Sequence, residues 1–369
     1  MQLPSFSPLV FALAGLAASN AHHGPSLQDA ATHDFTPSSL SPYKIQEGIN
    51  HLPLVYDFNT SNSRVANASN SWWLSSFLYG SNNHEYMVVS HIMDLVEVTF
   101  NRGSIYDITN RSYSQFAKSS TDDSIYKFAA NGHFNITVDT DFHFGSTTTG
   151  NATQQLRSYS TVEGAEYDLT FDLSAPVIFN AGIGGVFNLG GSHTAEWSMP
   201  GGRTTGHLTQ DGVTITVDSK RSLTWYDRQW NVGEGAASAN WTWFELHLQT
   251  PAQQERKISA WVYDSEATGR RQWATVQSEG GSAIEMIEHY ETFGHEWYSN
   301  HSNYTYPLNW KVGLQDGTEL TIRSVYEDQE IGYPTSLLTY EGFVTVSGTD
   351  ATGEPISGYG LVEMEPTSS

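Results

Sequence analysis

The chain has 369 residues, 40 acidic against 17 basic, a formal net charge of −23 and no Cys. That balance disfavours nucleic acid and anionic membranes as partners, because phosphate binding needs a basic surface. The missing Cys excludes thiolate-zinc, iron–sulfur and cysteine-nucleophile chemistry, and the length allows a large apolar core without disulfides. Abundant aromatics and Gly with few Lys and Arg point to an all-β protein.

Residues 9–18 form an apolar run followed by Ser19-Asn20-Ala21. This is the pattern of a signal peptide cleaved near Ala21. The run is too short for a membrane span, and no other stretch reaches the ~18–20 apolar residues required, so stable membrane insertion is not expected. Residues 1–21 are thus expected to be a signal peptide. Residues 22–44, rich in Ser, Pro and His, are expected to be a linker, disordered or draped on the surface. Behind the signal peptide, Asn-x-Ser/Thr acceptors stand at Asn59, Asn67, Asn110, Asn135, Asn151, Asn240, Asn300 and Asn303. They point to a glycoprotein of the secretory pathway that is secreted.

From about Ile45 the pattern becomes compact. Segments 70–78, 86–91, 96–100, 126–128, 134–138 and 167–173 read as strands, most alternating with period two. Segment 179–191 is Gly-rich, and each Gly costs a helix about 1 kcal/mol relative to Ala. It lacks Walker or dinucleotide spacing and reads as a loop. After a strand at 213–217 a domain boundary is expected near Ser219, giving β domains over 45–218 and 219–369. In the second, strands at 244–248, 258–263, 319–325, 343–347 and 359–364 recur at the spacing of a sandwich or barrel. Residues 284–288 fit either a short helix or an irregular strand.

The densest chemistry lies in Thr224-Trp225-Tyr226-Asp227-Arg228-Gln229-Trp230 and in Trp241-Thr242-Trp243-Phe244-Glu245-Leu246-His247. Strand alternation puts Trp225, Asp227 and Gln229 on one face and Tyr226, Arg228 and Trp230 on the other. On the second segment Trp241, Trp243, Glu245 and His247 share a face opposite Phe244, Leu246 and Leu248. A Trp/Trp/Glu/His face suits the wall of an apolar cavity with a few polar groups. Among aromatics Asp227 is a candidate general acid, since desolvation raises a carboxyl pKa. It could instead pair with an Arg such as Arg228 and fix a turn. His193, with Glu196 and Trp197, could reach the same pocket. His289 and His295 flank Glu291 and Glu296 without metalloprotease spacing, so no metal is expected.

These two segments resemble the lipocalin-like AttH/carotenoid-hydratase superfamily, which includes the fungal kievitone hydratase and Diels–Alderase group. Ser71-Trp72-Trp73-Leu74-Ser75, Tyr306-Pro307-Leu308-Asn309-Trp310, Asp328-Gln329-Glu330, Tyr340-Glu341-Gly342 and Gly358-Tyr359-Gly360-Leu361-Val362-Glu363 are similar to further pieces of that family, in order. The resemblance implies two consecutive lipocalin-like β domains with a hydrophobic pocket at or near their interface. It implies Asp227 as proton donor with Trp225 and Tyr226 beside it, and Trp73, Trp197, Trp230, Trp241, Trp243, Glu245 and His247 as substrate-binding residues. Ala195 stands where a family His would be, which turns weight from hydration toward cyclisation. The expected function is a cofactor-free tailoring enzyme for a hydrophobic polyketide- or isoprenoid-type small molecule. Cyclisation or cycloaddition stands slightly ahead of hydration of a prenyl double bond, and a non-catalytic carrier is a third alternative. Oligomeric state is left open.

Overall fold

The computed structural model describes residues 33–36, 55–130, 132–147, 155–173, 175–189, 192–232, 239–266, 268–279, 281–333 and 338–365. The expected signal peptide, most of the expected linker and Asn151 lie outside these residues, as does the side chain of Asn59.

The described residues are all-β, with helix confined to single 3-10 turns such as Phe58–Thr60 and Asp123–Ile125. The first sheet comprises β1 (Ser69–Tyr79), β2 (Glu85–Asp94), β3 (Thr99–Asp107), β4 (Ser112–Ser120), β5 (Tyr126–Phe128), β6 (Phe134–Val138), β7 (Phe142–Ser146), β8 (Gln155–Ser160), β9 (Tyr167–Asp172), β10 (Ile178–Phe179), β11 (Val186–Leu189), β12 (Ser192–Gln210), β13 (Val213–Thr216) and β14 (Leu223–Val232). Its order is β4-β3-β2-β1-β14-β12-β9-β8-β7-β6-β5, with β10, β11 and β13 against β12. The last strand in sequence therefore inserts beside the first, and β14 becomes a central strand.

The second sheet comprises β15 (Ala239–Gln249), β16 (Glu255–Ser265), β17 (Arg271–Ser278), β18 (Gly281–Thr292), β21 (Asn309–Leu314), β22 (Glu319–Ser324), β23 (Glu330–Ile331), β24 (Thr339–Thr349) and β25 (Pro355–Glu365). A ribbon of β19 (Glu296–Tyr298) and β20 (Thr305–Pro307) stands apart. The order β22-β21-β18-β17-β16-β15-β25-β24 closes because β24 pairs back to β22, which makes an eight-stranded barrel. Gly358 and Gly360 make the closure possible where β25 crosses β15. A Cβ on either would collide with the carbonyl oxygens of His247 and Glu245, so only Gly lets the strands approach so closely.

Side-chain alternation builds three apolar layers. Tyr226, Trp197 and Trp72 lie in the first sheet's own core. Phe244, Leu246 and Leu248 fill the barrel. A third layer joins the two sheets, with Trp73, Phe77 and Trp225 from one side and Trp243, Trp261, Tyr359 and Leu361 from the other.

Four sequence expectations need correction. β14 pairs with β1 and β12, so sheet membership changes between Val232 and Ala239, later than the boundary expected near Ser219. Val96 turns with φ 73° and the strand begins only at Thr99. The Gly-rich loop carries the short strands β10 and β11. Residues 284–288 take the irregular-strand alternative: they belong to β18, a long strand with a register shift between Ile287 and His289. Within the expected linker, His33–Thr36 docks: Phe35 is 1% exposed, with its ring 4.8 Å from Tyr359 and 5.5 Å from Phe77. An isolated Phe in a Ser/Pro/His-rich stretch gives no periodicity, so its burial is invisible to pattern.

Candidate active site between the two sheets

Asp227 sits mid-strand on β14. Its cross-strand neighbours are Trp73 on β1 and Ser198 on β12. Opposed residues on adjacent strands point the same way, so all three face the inter-sheet layer. Asp227 is 5% exposed, and the Trp225 indole N–H donates to its Oδ1 at 2.6 Å. Burial pushes the Asp227 carboxyl up to about 7, although the Ser198 hydroxyl and the Trp225 indole pull it the other way. Its backbone neighbour Arg228 lies on the opposite face. That guanidinium donates to the carbonyls of Ser61 and Ser63 at 2.8 and 2.7 Å and to Asn70 Oδ1 at 2.8 Å. It also stacks over Trp72 and Trp230. An Asp227–Arg228 pair is therefore not the role of either residue.

Glu196 is the second acid of the first sheet. It pairs in register with Gln229, whose amide donates to Glu196 Oε2 at 3.3 Å. Burial, then the nearby Asp227 and Glu363, push Glu196 well above the usual carboxylate range. The barrel answers with Glu341 and Glu363, cross-strand partners on β24 and β25. The Trp73 indole donates to Glu341 Oε2 at 2.8 Å. Arg102 Nη2 lies 3.5 Å from Glu341 Oε1 and 3.9 Å from Glu363 Oε1. Burial raises Glu363 well above its ordinary value, with Glu341 adding to the effect.

Between these walls lies a pocket that is partly open to solvent. Trp73, Trp241, Trp243 and Trp261 supply its aromatic surface, and Asp227, Glu196, Glu363, Glu365 and Arg102 its charges. A concave site with aromatic walls and a few convergent polar groups is the usual form of a small-molecule site. A carboxyl that holds its proton near neutrality can deliver it to an alkene or carbonyl, and Trp faces stabilise the cation that results.

The sequence-derived residues divide by face. Asp227, Trp73, Trp241 and Trp243 line the pocket, and Trp230 borders it although its ring packs against Arg228 and Tyr56 on the first-core side. Trp225 stands behind Asp227 and holds it. Glu245 and His247 lie deeper still: Ser75 Oγ donates to Glu245 Oε1 at 2.7 Å, and His247 stacks on Tyr359 at 5.0 Å. Tyr226 and Trp197 are on the wrong face for the pocket. Tyr226 donates to Asn62 at 2.7 Å and Trp197 to Ser61 at 3.0 Å, and their rings meet at 5.4 Å in the first core. His193 is exposed on the same face as Trp197. Among the acceptor sites, Asn67, Asn110, Asn240, Asn300 and Asn303 are exposed and Asn135 is half-buried.

Sequence reasoning missed His91, Arg102 and Glu363 as pocket residues, and Glu341 as the buried partner of Trp73. Glu363 stood in the strand expected at 359–364, and Glu341 only in a segment that carried the family resemblance. An acid flanked by Gly and apolar residues, as in Tyr340-Glu341-Gly342, was the available signal.

The AttH-like family model matches residues 90–367. The chain is 36% identical over 324 residues to kievitone hydratase of Fusarium solani subsp. phaseoli, covering 85% of this chain and 86% of that protein. The crystal structure of kievitone hydratase from Nectria haematococca superposes with a TM-score of 0.78 at 30% identity, covering 90% of this chain and 98% of that one. The dehydratase asqC of Emericella nidulans is 29% identical over 343 residues, covering 90% and 94%. CghA, solved with Sch210972, matches at a TM-score of 0.55 and 10% identity over 82% and 89%. That last likeness shows a common fold. With two lipocalin-like β bodies, a Trp-walled pocket between them and these relatives, the chain belongs to the AttH-like family of enzymes that includes a hydratase and a dehydratase.

Proposed function

We propose that the chain is a hydro-lyase that adds water to, or removes it from, a hydrophobic small molecule, with Asp227 as the general acid. The observation that carries this is the buried Asp227 carboxyl, held protonated near neutral pH inside a Trp-lined pocket. In the hydration direction the Asp227 O–H bond breaks and its proton forms a C–H bond at one alkene carbon. The cation at the other carbon faces indole rings. A water oxygen bonds to that carbon, and the oxonium returns a proton to the Asp227 carboxylate. The acid is restored and one water is consumed. Dehydration follows the same steps in reverse.

Cyclisation uses the same acid, with an internal nucleophile in place of water. It ranks second, because the relatives at 36% and 29% identity are a hydratase and a dehydratase, whereas the CghA likeness is one of fold. No cofactor or nucleic acid enters either reaction. We also propose action in the secretory pathway, supported by the apolar N-terminal run and the exposed acceptor asparagines. A mass decrease on endoglycosidase treatment of the protein from its native host would test this.

The first substrate to test is kievitone, the molecule after which the relative is named. Incubation in heavy-oxygen water separates the reactions. Label in the product means hydration, and an unlabelled isomer means cyclisation. Unchanged turnover by Asp227→Asn would overturn the acid assignment.

A further inference from the structure

Three buried polar side chains beside the acid form a chain with a fixed direction. Arg102 Nη2 lies 3.1 Å from His91 Nδ1, and His91 Nε2 lies 2.9 Å from Ser71 Oγ. A guanidinium has only donors. His91 Nδ1 must therefore accept, and the ring hydrogen of the neutral imidazole sits on Nε2. Nε2–H then donates to Ser71 Oγ. A protonated His91 would set an N–H against the guanidinium, and burial together with Arg102 holds this His well below its usual range. Arg102 and His91 are buried, while Ser71 is only half-buried and lines the pocket. With one lone pair occupied by His91, the Ser71 hydroxyl has its own hydrogen left to give. His91 is its one side-chain partner among the described residues.

We propose that Ser71, oriented by the Arg102–His91 pair, donates a hydrogen bond to an oxygen of the substrate. Ser71 faces Gln229 across the β1–β14 ladder, and Trp73, two residues on, faces Asp227. Two residues of strand span on the order of 7 Å. The ligand class is thus a hydrophobic molecule with a carbonyl or hydroxyl oxygen about 7 Å from the carbon that Asp227 protonates. This rests on the pocket being the substrate site and not on which reaction occurs there.

Flavanone and flavan test the assignment, because they differ by a carbonyl oxygen against a CH₂. Binding is read by quenching of the pocket Trp fluorescence, with no turnover involved. Wild-type protein should prefer flavanone about three- to tenfold, the worth of one neutral hydrogen bond, and Ser71→Ala should abolish the preference. His91→Gln can accept from Arg102 through its amide oxygen and donate to Ser71 through its nitrogen, so it should keep the preference. His91→Leu should lose it. In ¹⁵N-histidine spectra, His91 should carry its hydrogen on Nε2. A preference that survives Ser71→Ala overturns the proposal. So does a wild-type protein that shows no preference or binds neither compound, and so does a hydrogen on Nδ1. Kievitone turnover tests the reaction separately, so either result can fail alone.

Discussion

The interior of the barrel and the layer between the sheets are built from the same strand in opposite ways. On β15, Phe244, Leu246 and Leu248 enter the barrel's apolar cluster beside Val262, Trp310 and Ile322. One residue out of step, Trp243, Glu245 and His247 enter a layer equally deep but loaded with ionisable groups. There Glu245 Oε2 and His247 Nε2 have no hydrogen-bond partner, and Lys257 Nζ lies 3.0 Å from His247 Nδ1. Burial raises the Glu245 carboxyl well above its ordinary value and lowers His247 and Lys257. Equal burial therefore has two meanings. In the barrel it supplies the hydrophobic gain that holds the fold. Between the sheets it changes protonation states, at a cost to stability.

The largest expected contrast is in activity. Asp227→Asn should lower kcat/KM about 10²–10⁴-fold, the usual worth of a general acid, while leaving Tm unchanged or raised above pH 7. Equal losses in activity and stability would erase the distinction between the layers. Leu246→Ala, one face away, should do the reverse. It should cost about 2–5 kcal/mol in denaturant unfolding and leave kcat near wild type once the folded fraction is accounted for.

The pH dependence comes next. Asp227 acts in its protonated form and its carboxyl is pushed up to about 7. Wild-type kcat/KM should therefore fall as pH rises through about 7, and a profile flat to pH 9 would remove Asp227 as the acid. Glu196 shares that environment, so the apparent value belongs to the pair.

The smallest effect sharpens the stability side. A folded-state pKa above the unfolded value means that folding takes up a proton, so stability is full below the unfolded value and declines as pH rises toward the folded one. Glu245→Gln keeps the neutral shape without the ionisable proton. Its Tm should match wild type near pH 4 and exceed it by about 2 °C at pH 8. A gap constant with pH would mean that the charge of Glu245 is not what matters.

Much of this was legible in advance because strand alternation is strict. The split of β15 into Phe244/Leu246/Leu248 against Trp241/Trp243/Glu245/His247 needs only period two, as does the separation of Asp227 from Arg228. What alternation cannot give is register between distant strands. Glu341 meets Trp73 across 268 residues of sequence, and Arg102 meets Glu363 across a similar span. No local pattern encodes those meetings. Nor does period two say which face looks inward when both faces are buried. Tyr226 and Trp197 were placed with the acid through the family resemblance, whereas alternation had put Tyr226 opposite Asp227, on the face that belongs to the first core. The sheet change after Val232 was misplaced because Trp225 and Trp241 read as one cluster, whereas they come from the two sheets that meet there.

The fastening of Arg228 has a consequence for how such a site can evolve. Two loop carbonyls and the Asn70 side chain hold the guanidinium on the face of β14 away from the pocket, so one anchor of the strand lies apart from the residues that meet the pocket. A residue that meets the pocket, such as Gln229, can then be exchanged without touching the Arg228 anchor, whereas a Lys at 228 would lose the planar fork that reaches several acceptors at once. One strand thus separates inheritance of the scaffold from drift of the chemistry, by nothing more than the parity of its residue numbers.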